Sequence, residues 1–172
     1  MENRIEQLKR LMQIGHCAES KSMVHNTCDN TGALMDTYFY FIKACTQKDF
    51  PKLDFLREYF GTQVAPYGGY IDATGEQKAY KKNVLLGDSN VVMQVGKYNI
   101  VSCWVRHNSK LQIQATDHCH LHIDCFDNAD VQVNIESKHA RVFINQYGDS
   151  HVLISGDSQN ACVTSYDSKT YK

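Results

Sequence analysis

Between Val91 and Thr164 the chain repeats one short unit eight times at a spacing of almost ten residues. The anchors are Val91, Val101, Leu111, Leu121, Val131, Val142, Val152 and Cys162, each followed two positions on by Met93, Cys103, Ile113, Ile123, Val133, Ile144, Ile154 or Thr164. Two positions before each anchor stands a small or turn-forming residue: Ser89, Asn99, Ser109, Cys119, Ala129, Ala140, Ser150 and Asn160. A single extra residue between Ile135 and Ala140 breaks the count. A fixed period of this kind marks stacked repeats, so it constrains the fold more than any other feature of the chain.

Within each unit the pattern alternates, as in Lys110-Leu111-Gln112-Ile113-Gln114 and Asp130-Val131-Gln132-Val133-Asn134. Alternation gives a strand one inward and one outward wall. Gly, Asp, Asn and Ser follow each strand and supply the turns. Neither proline, Pro51 or Pro66, falls in the repeats, where it would delete a ladder hydrogen bond.

Ten residues closed on themselves would give a perimeter of only ~33 Å, too small for two walls ~10 Å apart with side chains between them. One unit is therefore one wall, and two units make a coil of about twenty residues. Eight units then stack into four coils about 19 Å tall. The rival is an antiparallel meander, but hairpin loops vary in length and favour Asn-Gly or Asp-Gly turns. The near-constant interval and the fixed place of the small residue favour the solenoid.

The expected class is α+β: a helical domain over residues 1–61, an irregular connector over 62–88, a β-solenoid over 89–167 and a tail over 168–172. In the first part Ile5, Leu8, Leu11 and Met12 share a helical face that Gly15 is placed to end. Further helices are expected over 18–28 and 33–44, and a fourth from Leu53 to Phe60, with Asp49 and Pro51 at its start. The connector shows two turn signals, Pro66-Tyr67-Gly68-Gly69 and Thr74-Gly75, and room for one or two strands.

Lys and Arg number 18 against 19 Asp and Glu, so no global field favours nucleic acid. No apolar run approaches the roughly 18 residues of a membrane span, and the charged start MENRIEQLKRLMQIG is unlike a signal peptide. The expected setting is cytoplasmic or virion-associated, with no cofactor. The seven cysteines fit no zinc or disulfide spacing and read as small hydrophobes.

The densest candidate for chemistry is His118-Cys119-His120-Leu121-His122-Ile123-Asp124-Cys125. Alternation puts His118, His120, His122 and Asp124 on one face, a donor set suited to a metal. Neighbours on a strand face lie about 6.6 Å apart, so a metal site would need a ligand from an adjacent coil, with His139 the main candidate. Otherwise the row is a solvated histidine ladder, whose protonation in mild acid would add positive charge to that face. Asp117 and Asp127 read as turn residues rather than a pair of catalytic carboxylates. Cys17 and Cys28, near His16 and His25, read as packing residues rather than activated thiols, and Gly68-Gly69 is not a phosphate loop.

The position after each anchor should face water, yet the chain places Phe143, Leu153 and Val163 there, with Tyr147 and Tyr166 nearby. Such apolar rows mark interfaces, unless the tail folds back over them. The expected partners are a second copy or another protein.

The wording of the repeats, "WVRHNSKLQIQA", "CFDNADVQV" and "INQYGDSHVLI", with the helical stretch "MVHNTCDNTGALMDTYFYF", resembles uncharacterised solenoid proteins encoded by gut bacteria and their phages. That resemblance implies a phage or mobile-element setting and carries over no catalytic residues. The function expected is a non-enzymatic structural, attachment or protein-interaction module, with a carbohydrate- or metal-binding solenoid as the alternative.

Overall fold

The computed structural model describes residues 4–12 and 17–172. The chain divides into two compact units, Met1–Val64 and Ala65–Lys172.

Among the described residues the first unit holds five α-helices. Helix α1 (Arg4–Leu11) buries Ile5 and Leu8, and Met12 just beyond it, while Leu11 is exposed. Its expected stop, Gly15, lies outside the described residues, as does His16. Arg4 ties α1 to the turn after α2: its guanidinium donates to the Asp29 side chain, to the Asp29 carbonyl at 2.8 Å and to Thr31 Oγ1 at 2.7 Å, and lies over the Phe60 ring. Helix α2 (Ala18–Asn26) starts at Cys17, whose sulfur accepts the Ser20 N–H. Helix α3 (Thr31–Tyr40) starts at Asn30, whose side chain accepts the Ala33 N–H at 3.0 Å.

Two details differ from the sequence reading. The helix expected over 33–44 is two, α3 and α4 (Ile42–Lys48), because Phe41 leaves helical geometry. Its N–H still donates to Thr37 and its carbonyl still accepts from Cys45, so the break orphans no backbone group there. Asp49 does not open the last helix; it closes α4 in a left-handed conformation, and Lys52 stands at the cap of α5 (Leu53–Tyr59).

The second unit is a parallel β-solenoid of two sheets. The odd sheet runs β1 (Gly69–Ile71), β3 (Lys82–Leu86), β5 (Ile100–Val105), β7 (His120–Cys125), β9 (Arg141–Tyr147) and β11 (Ala161–Tyr166). The even sheet runs β2 (Thr74–Glu76), β4 (Asn90–Val95), β6 (Lys110–Ala115), β8 (Asp130–Ile135) and β10 (His151–Gly156). Every ladder is parallel, which rules out the hairpin meander. The segment read as a connector is the solenoid's first coil. Its strands β1 and β2 span three residues each, and they pair out of step with the later decades, Gly69 with Val84 and Thr74 with Asn90.

The core lies between the sheets, where Leu111, Val131, Leu121 and Ile123 are inaccessible to solvent. Burying each such side chain contributes about 1.5–3 kcal/mol. At the corners Ser89, Ser109, Cys119, Ala129, Ala140 and Ser150 are buried, while Asn99 and Asn160 are exposed. The hydroxyls of Ser89, Ser109 and Ser150 donate to the carbonyls of Leu86, Gly87 and Cys125, satisfying groups a larger residue would leave unpaired. Asp117 and Asp127 are corner residues with left-handed backbones, and their carboxylates accept the Lys97 and His107 N–H groups one coil earlier. Asn128 donates to Asn108, and Asn108 to Asp88, along the corner.

The last strand departs from the expected frame. The ladder pairs Ala161 with Val142 and Val163 with Ile144, so Val163 continues the inward row and Cys162 the outward one. A slip of one residue exchanges the faces of a strand.

Candidate interaction face on the odd sheet

Register brings the outward side chains of the odd sheet into rows across the coils. One row is Ile100, His120 and Arg141; the next is Ser102, His122, Phe143 and Cys162; the third is Trp104, Asp124, Asn145 and Thr164. Beside them, at the corner, Tyr98, His118 and His139 form a column of stacked rings with centroids 4.9 and 4.3 Å apart. The His120 ring stacks on Phe143 at 5.2 Å. Large apolar side chains stay open to solvent here: Tyr98 is 74% exposed, Ile100 64% and Phe143 41%, and Tyr166 at the far end of β11 is 40% exposed. Rings at the coil repeat of about 4.8 Å stack without strain, which is why aromatic and imidazole side chains suit this position of the repeat.

The histidine expectation is thereby redrawn. His118 is held in the corner column, His120 on Phe143, and His122 Nε2 lies 3.8 Å from Asp124 Oδ1 and 3.3 Å from Asn145 Nδ2. Among the described residues no three His, Cys, Asp or Glu side chains come together as a ligand set, so His118, His120, His122 and Asp124 are not gathered around one point. The alternation that puts them on one face also spaces them too far apart.

Asp124 is outward by alternation but only 3% exposed, because the tail covers it. Tyr171 donates its hydroxyl to Asp124 Oδ2 and accepts Trp104 Nε1–H at 3.0 Å, while Asn145 Nδ2 donates to Oδ1 at 2.7 Å. The Tyr171 ring meets Phe126 and Tyr147 edge-on, and Tyr147 is itself stacked between Phe126 and Tyr166. Burial first, and then the Asp124 charge, raises the Tyr171 phenol above its ordinary value, so it remains a donor. The same two causes raise Tyr147. The residues of this strap had no period to betray them; only the aromatic excess near Tyr147 and Tyr166 pointed here.

The interface expectation divides among three places. Phe143 belongs to the odd face, Leu153 to the outer face of the even sheet in register with Gln132, and Val163 to the inward row of the last coil. Tyr147 is buried under the tail. The four do not form one patch, because Phe143 and Leu153 lie in different walls and the slip turns Val163 inward.

The thiols of Cys103 and Cys125 face the core, and burial pushes them up to about 12 and about 11. Neither is a nucleophile near neutral pH. At the first coil, Glu76, Gln77, Lys78, Ala79, Val92 and Gln94 line an open groove of about 460 Å³. No helix among the described residues is long and apolar enough to cross a membrane. No family model, curated protein or solved structure matches the chain.

Proposed function

We propose that the chain is an attachment or protein-interaction module whose solenoid is a rigid scaffold presenting the odd face to a protein partner. The observation that carries this reading is the exposed set Tyr98, Ile100 and Phe143, interleaved with His118, His120 and His139. Tyrosine and other rings that combine apolar area with a polar tip dominate protein contacts, and they lose little entropy when already stacked. An exposed apolar cluster costs solubility, which favours a reading in which something covers it. The phage or mobile-element setting implied by the resemblance is in keeping with an attachment role.

The test is site-specific photo-crosslinking in the native cell, from position 98 on the odd face and position 112 on the even face. The reading expects one discrete protein adduct from position 98 and none from 112. Equal adducts from both positions, or none from 98, would overturn it. The exposed Tyr98 ring also suits stacking on a sugar, the second reading. That reading expects glycan binding which Tyr98→Ala abolishes, and arrays blank at high protein concentration would remove it.

A further inference from the structure

The two ends of the solenoid are built differently. At the first coil the outermost strands β1 and β2 have three residues each, and Gly75, Glu76 and Lys78 break up the edge. Short strands and charges of this kind blunt an edge against further pairing. At the last coil the outermost strands β10 and β11 have six residues each, and each pairs on one side only, β10 with β8 and β11 with β9. Between His151 and Tyr166 there is no Lys, Arg, Glu or Pro, and Asp157 in the turn is the sole acid.

The backbone bonds tell which groups point off the end. Val142 donates to Asn160 and Gly148 donates to Tyr166, so even-numbered residues of β11 face β9. Alternation then aims the N–H and C=O of Val163 and Ser165 away from the stack. His151 donates to Ala129 and Asp157 to Ile135, so by the same rule Val152 and Ile154 aim theirs off the end of β10. These residues also carry the last inward side chains: Val152 and Ile154 are half-buried and Val163 is 41% exposed. The chain does not cover them after Tyr166, since Tyr171 is anchored on the outer face of the odd sheet.

We infer that this end is an interface with a second copy of the chain, formed by edge pairing of the last coils about a two-fold axis. A peptide strand from another protein could add to β10 or to β11 but would leave the other edge open. A second copy meets both. The coil crosses its two walls in opposite directions, so a copy rotated by 180° about an axis across the end lays its own pair of strands antiparallel on this pair. That is the self-complementary contact of a closed dimer. It also joins the half-buried Val152 and Ile154 and the exposed Val163 of the two copies into one core, and the near absence of charge on β10 and β11 removes the repulsion that protects other edges. This inference names the partner at a surface other than the odd face, so it stands or falls separately from the reading above.

The experiment is light scattering of the full chain over a hundredfold concentration range, with hydrogen exchange as a second readout. The expected mass is twice the 19.6 kDa protomer, with slow exchange at the Val152, Ile154, Val163 and Ser165 amides. Val163→Lys should halve the mass. Ser165→Pro, which removes an edge donor and no ladder bond, should do the same and speed exchange at the other three amides at least tenfold. Far-ultraviolet circular dichroism spectra matching that of the unmutated protein, with a cooperative melting transition, will show that both variants are folded. Phe143→Asp, on the other surface, should leave the mass unchanged. A monomer with fast-exchanging edge amides at all concentrations would overturn the inference. Growth beyond two copies would do so too, since it means head-to-tail stacking, as would a dimer lost on Phe143→Asp and kept on Val163→Lys.

Discussion

The odd and even sheets share an interior and differ in almost everything outside it. Their inward rows interdigitate in one core, with the same strand lengths over β4 to β8. Outward, the middle row of the even sheet reads Val92, Gln112, Gln132 and Leu153, and that of the odd sheet Ser102, His122, Phe143 and Cys162. The even face is mostly polar, with Gln94, Gln114 and Asn134 on one side of that row and Asn90, Lys110, Asp130 and His151 on the other, and Leu153 as its one large exposed apolar side chain. The odd face carries stacked rings, a buried carboxylate and the tail strap. Packing dictates the inward positions, which must fill a core at crystal-like density, and leaves the outward ones free to differ. What distinguishes this solenoid from a bare scaffold is thus written on one wall.

The comparison breaks most severely if the shared interior is cut. Ile123→Ala should cost about 2–5 kcal/mol and remove both faces together, read as one cooperative fall in the urea midpoint. Loss of the odd face alone would contradict a common core. Asp124→Ala should cost less, about 1–3 kcal/mol, because Tyr171 and Asn145 lose their acceptor. It should also shift the emission of Trp104, the sole tryptophan.

Alkaline pH separates the sheets more gently. Burial raises Cys103 to about 12 and Cys125 to about 11, and both thiols sit on odd-sheet strands. The folded state therefore holds these protons more tightly than the unfolded one, where a thiol titrates near ~8.5. Their contribution is complete below that value and is lost as pH rises towards 11 and 12. The urea midpoint should be lower at pH 10 than at pH 8, and less so in Cys103→Ala protein. Smallest of all, Gln112→Ala on the even face should change stability by no more than about 0.5 kcal/mol.

Much of this was readable from the residues. The inward rows from Val91 to Ile154 follow from period and alternation, because only one of the two alternating sets is apolar. At β11 that signal vanishes: Ala161 and Val163 are no less apolar than Cys162 and Thr164, so the pattern could not choose a register, and the one-residue slip went unseen. The first coil was hidden for a different reason, since three-residue strands offset from the decade carry no period. Alternation names a direction and not an environment, which is why Asp124 read as solvated although the tail buries it. The stacked column of Tyr98, His118 and His139 could have been found from their spacing once twenty residues were taken as a coil.

The most direct test of the division between the faces is the yield of partner crosslinked from position 98 in two folded variants, Phe143→Asp on the odd face and Gln132→Asp on the even face. The account expects the adduct to disappear in the first and persist in the second. Equal yields in both would mean that the odd face is not the surface that binds.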